Sequence, residues 1–211
     1  MTVSSMHCCK SAAEPVRGSL RRSLWLLAVL VLIALPLHAR AGTITPVSAH
    51  LSASDDSYLL SAEFKVDLGP HLEEVVSRGM PLYFLLEFNL TRNRWYWANE
   101  HIASKTINYR LSYDALTRQY RLANGPLYQS FASLGEALRV MSHVFALPVV
   151  AKSEVKEGDT YQAELRLSLD RQQLPKPFQV DAIANSDWQV DAQTLHWQFV
   201  PGAPDEEHAP K

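Results

Sequence analysis

From Leu60 to Phe199 the chain alternates between apolar and polar positions with a period of two, in segment after segment. Leu60, Ala62, Phe64, Val66 and Leu68 alternate with Ser61, Glu63, Lys65 and Asp67; Leu82, Phe84, Leu86, Phe88 and Leu90 alternate with Tyr83, Leu85, Glu87 and Asn89. The same rhythm returns at Ile107–Tyr113 and Tyr161–Leu169. Successive side chains of a strand point to opposite faces, so each run predicts a strand with one buried and one wet face. One-sided burial belongs to antiparallel sheets, because parallel sheets are covered on both faces. Asp55-Asp56, Asn124-Gly125 and Glu157-Gly158-Asp159 fall between these runs and tolerate tight or left-handed backbone. The first joins a strand near Ile44–Ala53 to one near Tyr58–Leu68 as a hairpin. Further strands are expected at Arg118–Ala123, Phe178–Ile183 and Thr194–Phe199, with Leu174–Pro177 as an extended edge or connection.

Two segments change the period. Ser133-Leu134-Gly135-Glu136 is a capping-box sequence, in which hydroxyl and carboxylate satisfy free amides reciprocally. It opens a helix whose Leu134, Leu138, Met141 and Phe145 form an apolar stripe, bounded by Pro148. A shorter helix is expected near Pro70–Arg78, with Glu73 and Glu74 in its first turn and Gly79 ending it. The tail Pro201–Lys211 is rich in proline and charge and is expected to be disordered. These elements predict one mainly β domain over residues 42–200, an antiparallel β-sandwich, Ig-like or related, with two short helices. A small closed barrel is the alternative.

The first 41 residues belong to a different class. Arg17, Arg21 and Arg22 precede a 14-residue apolar run, Leu24–Leu37, followed by His38-Ala39-Arg40-Ala41. A basic region, a short apolar core and an A-x-A exit read as an export signal helix, with Ala39 and Ala41 at the cleavage positions and Gly42 as the new N-terminus. The run is shorter than the roughly 20 residues that a permanent spanning helix needs. A periplasmic location is expected; retention would instead leave an inner-membrane anchor, and only then would the chain contact the membrane. Both cysteines, Cys8 and Cys9, leave with the signal, so no disulfide, Cys nucleophile or Cys-ligated metal is expected in the mature chain. Cleavage also removes five of the 20 basic residues, which leaves 15 against 21 acidic ones and a formal charge of −6. That balance speaks against nucleic acid as a partner.

Candidate chemistry gathers in two places. Arg92, Arg94, Trp95, Tyr96 and Trp97 could form a binding face, with guanidiniums holding a carboxylate or phosphate and rings stacking on a ligand. The structural alternative has Trp95 and Trp97 plugging the core of the next strand, with Arg94 and Tyr96 on its solvent face. Arg110 and Arg121 project from one exposed face if Asp114–Thr117 is a hairpin loop; the alternative is a solvated face with ordinary cross-strand pairs. The six histidines after residue 41 are scattered, with no helical ligand spacing, so neither a metal nor another cofactor is expected. No G-x-S-x-G, H-E-x-x-H, G-x-G-x-x-G or P-loop string occurs. An acid/base site would have to be assembled from Glu87, Glu100 and His101.

Pro81-Leu82-Tyr83-Phe84, Arg94-Trp95-Tyr96-Trp97 and Tyr109-Arg110-Leu111-Ser112-Tyr113 resemble a proteobacterial family of exported proteins, domain of unknown function 4390. Leu116–Leu122, Phe131–Leu134 with Glu136–Val140, and Leu174–Val180 continue the resemblance over nearly all of the chain after the signal. The family has no assigned activity, so the resemblance carries over no catalytic residue. Its members often lie beside genes for nitrogen-regulation-type sensor kinases, which implies an accessory to envelope sensing with an envelope protein or sensor kinase as partner. The leading expectation is therefore an exported, non-enzymatic binding or interaction module. The alternatives are a periplasmic enzyme with an unrecognised carboxylate/His site and a membrane-tethered structural protein.

Overall fold

The alternating runs become strands of two sheets. In the computed structural model, which describes residues 41–94, 100–176, 178–179, 188–203 and 207–210, β1 (Gly42–Ala53) and β2 (Ser57–Asp67) form the first hairpin. They are followed by β3 (Leu82–Arg92), β4 (Glu100–Asp114), β5 (Gln119–Asn124) and β6 (Leu127–Phe131), paired in that order as an antiparallel meander. Then come β7 (His143–Ala151), β8 (Tyr161–Leu169), β9 (Val190–Ala192) and β10 (Thr194–Phe199). One sheet has the order β7-β2-β1-β9, the other β10-β8-β3-β4-β5-β6. All pairs are antiparallel except β1 with β9, which makes the smaller sheet mixed in an otherwise antiparallel fold.

The inward faces of the two sheets enclose one core in a sandwich-like arrangement. Every predicted inward residue of β3, from Leu82 to Leu90, is buried, as are Leu60 and Phe64 of β2 and Ala163, Leu165 and Leu167 of β8. Removing each large apolar side chain from water contributes about 1.5–3 kcal/mol, which pins the register of these strands.

Two helices cover the part of the core that the sheets leave open: α1 (Gly69–Ser77) through Leu72 and Val76, α2 (Leu134–Ser142) through Ala137 and Met141. Ser133 caps α2 by accepting the Glu136 N–H at 3.3 Å, and the Glu136 carboxylate accepts the Ala132 N–H at 3.2 Å. The return bond thus reaches one residue beyond the cap. In α1 the acidic pair lies after the first turn, because the helix already begins at Gly69; Glu74 instead pairs with Arg78 at 2.5 Å, and Gly79 follows with φ +93°.

Three expectations change. The stripe of α2 stops at Met141, since His143 enters β7 directly and Phe145 points outward, 89% exposed. Pro148 lies within β7, where an edge strand tolerates a missing donor. The strand expected at Phe178–Ile183 is helical where it is described: Phe178 and Gln179 donate backbone bonds to the Pro175 carbonyl. Among the described residues beyond Phe199, Pro201–Ala203 form a turn and His208 pairs with Ala49 of β1. Among the described residues no helix is long and apolar enough to cross a membrane.

Candidate functional site

The arginines at the end of β3 are held by carboxylates of the same chain. Arg92 is in register with Tyr161 of β8, which is in register with Phe199 of β10, so its side chain leaves the inner face at the edge of the core. It donates from Nε to Glu100 at 3.0 Å, makes a second, very close contact to the same oxygen, and reaches Asp159 at 3.0 Å. Arg94 adds a bond to Glu100 at 2.6 Å. Charge-assisted bonds of this kind favour the ionised forms. Hydrogen bonds first from Arg92 and then from Arg94 hold the Glu100 carboxyl below its usual range, and Glu100, then Asp159, raise Arg92. Trp95, Tyr96 and Trp97 lie outside the described residues.

Arg110 and Arg121 do share the outer face of the larger sheet, because Arg110 opposes Ala123 while Arg121 opposes Ser112. Arg121 is engaged within that face: it pairs with Asp114 at 2.7 Å and lies 5.5 Å over the Tyr128 ring. The backbone amides of Thr117 and Leu116, and then the Arg121 charge, lower Asp114. The tyrosines of the same sequence cluster turn inward. Burial raises Tyr109, Tyr113 and Tyr120 pack 4.9 Å apart, and the Tyr120 hydroxyl lies 3.0 Å from the Ser77 hydroxyl. Cross-strand pairing accounts for this cluster.

Glu87, Glu100 and His101 are not brought together. Glu87 pairs with Thr106 and Glu100 with Arg92, five positions further along β3, a separation of about 17 Å at strand rise. Glu100 and His101 are successive strand residues and leave opposite faces. The other histidines have local roles: His196 sits 3.3 Å from Glu164, and His71 packs edge-on against Trp188 with centroids 4.8 Å apart. No group of three or more His, Cys, Asp or Glu among the described residues is placed to hold a metal ion.

Among the described residues a cavity lies at the sandwich end where β10 finishes. A cavity of about 670 Å³ opens there between Leu51 and Ala53 of β1, Tyr58 of β2, Trp197 and Phe199 of β10, and the chain beyond Phe199. Its inner wall is aromatic: Tyr58 meets Phe199 edge-on at 4.9 Å, Tyr161 lies 6.5 Å behind, and Trp197 stacks on His208 at 5.9 Å. Its rim is polar, with Lys152 and Glu157, and His208 Nδ1 is buried without a hydrogen-bond partner among the described residues. The Lys156–Asp159 turn ties rim to arginine cluster: Lys156 N–H donates to the Tyr161 hydroxyl at 2.8 Å, while Asp159 takes the Arg92 bond. Arg92 therefore positions a wall of the cavity.

The cavity residues carry no local sequence signal of a site. Leu195, Trp197 and Phe199 alternate as core positions, and only their place at the end of an edge strand distinguishes them. The family model described as a domain of unknown function (DUF4390) matches residues 41–198. No curated protein and no solved structure matches the chain.

Proposed function

The chain belongs to the family of domain of unknown function 4390, and on that premise we propose that it is an exported, non-enzymatic binding module whose ligand enters the cavity beside Trp197. The cavity carries the reading: a concavity that sets aromatic side chains beside polar and charged ones offers a ligand both apolar contact and fixed polar partners. The separation of Glu87 from Glu100 supports binding over catalysis. Export to the periplasm is supported by the Arg-flanked run Leu24–Leu37 with its A-x-A exit. In that compartment the module serves as an accessory to an envelope protein or sensor kinase.

The test compares three versions of the mature chain as bait in envelope extract: native, Ala203→Trp and Arg110→Glu. Ala203 is an exposed residue of the cavity wall, so a tryptophan there fills the cavity without entering the core. Arg110 is on the outer sheet face. A partner retained by native and Arg110→Glu chains and lost with Ala203→Trp supports the reading. A partner lost with Arg110→Glu and kept by Ala203→Trp moves the site to the sheet face and refutes it.

A further inference from the structure

His208 lies on the domain as a residue of a peptide ligand would. Beyond the turn at Pro201–Ala203, His208 lies beside β1: the Ala49 N–H donates to the His208 carbonyl at 2.8 Å and the His208 N–H to the Ala49 carbonyl at 2.9 Å. This two-way exchange is the hydrogen-bonded pair of an antiparallel ladder. It forms on the edge of β1 away from β2, an edge that β9 occupies only over Gly42–Ile44. The same residue lays its imidazole on Trp197, 29° from parallel. Main-chain bonds to a sheet edge, with a pocket for a side chain, are the two components of strand-addition recognition.

Two observations indicate that this seat is not built for its present occupant. The family match covers residues 41–198, so Ala49, Leu51, Tyr58 and Trp197 lie inside the matched region and His208 lies beyond it. The fit is also incomplete, since the buried His208 Nδ1 finds no partner among the described residues. We infer that the β1 edge beside Trp197 is a peptide-docking groove, with the C-terminal segment as its intramolecular occupant. The partner is an extended segment of another protein, pairing antiparallel with β1 at Ala49 and placing a planar ring on Trp197. This inference rests on the binding-module reading and supplies the class of its ligand. Tethering keeps the segment at an effective concentration on the order of millimolar, so a partner segment must outcompete it.

The test uses the mature chain carrying His208→Pro, which removes both the N–H donor and the ring and leaves β1, β10 and the core intact. The probe is a free peptide with the sequence of residues 200–211. The variant should bind the peptide saturably and slow hydrogen exchange at Ala49; the native chain should bind it at least about tenfold more weakly, because its own segment competes. A folded His208→Pro chain that ignores the peptide, or equal binding by both chains, overturns the inference. In the native chain, the Ala49 and His208 amides should exchange at least about tenfold faster than Leu86 in the core, through local opening. Exchange at those amides only by global unfolding also overturns it. Should the peptide fail while Ala203→Trp still abolishes partner capture, the groove assignment falls and the binding module stands; if neither effect is seen, both fall.

Discussion

Glu100 collects both arginines that end β3, and its carboxylate is the electrostatic centre of that corner. Its acidity is enhanced in the folded chain, so the unfolded chain binds more protons in the carboxylate range and stability rises with pH there. The contribution is complete above the ordinary carboxylate pKa of about 4.3 and is lost as pH falls below it, through the lower folded value. Glu100→Gln, nearly equal in shape, should lower the unfolding midpoint at pH 7, with the difference shrinking as pH falls below the ordinary carboxylate range. A midpoint difference independent of pH would show that the pair does not stabilise the fold in this way. The arginines were visible in the sequence as candidate ligand-holding groups. Their partners were not, because Asp159 is 67 residues from Arg92 and meets it only through the register of β3 with β8.

At the scale of the element, legibility followed one-sided burial. β2, β3 and β8 are crossed by the core on one face only, so their period of two is clean. β7 was hidden because the Leu138, Met141 and Phe145 spacing continues the helix of α2, while Val144, Val149 and Val150 mark a strand. Ala146, at φ +49°, bends β7 and donates its N–H to the Ser61 hydroxyl oxygen at 3.3 Å. β1 starts against a hard limit. A Cβ on Gly42 would lie 2.5 Å from the Leu68 carbonyl oxygen and 2.7 Å from that of Asp67, backbone atoms that cannot step aside cheaply. Gly42→Ala should therefore cost about 1–3 kcal/mol by overpacking, read as a lower urea midpoint with an unchanged slope. A midpoint equal to that of the native chain would mean that the β1–β2 end relaxes freely.

At the scale of the whole molecule, the proposed cleavage point after Ala41 falls directly before β1. Sequencing of the native protein's N-terminus should begin at Gly42; a start that includes Leu24–Leu37 would make that segment an anchor. From the sequence alone came the strand alternation, the helix cap at Ser133, the turns, the charge of the chain after the signal and the family resemblance. Each depends on residues a few positions apart, where backbone periodicity and local hydrogen bonds decide the outcome. Only the tertiary structure placed Trp197, Tyr58 and Phe199 around one cavity, satisfied Arg92 with Asp159, and returned His208 to the edge of β1. Those contacts join distant segments through strand register and chain return, and no local pattern records which edge of a sheet remains unpaired.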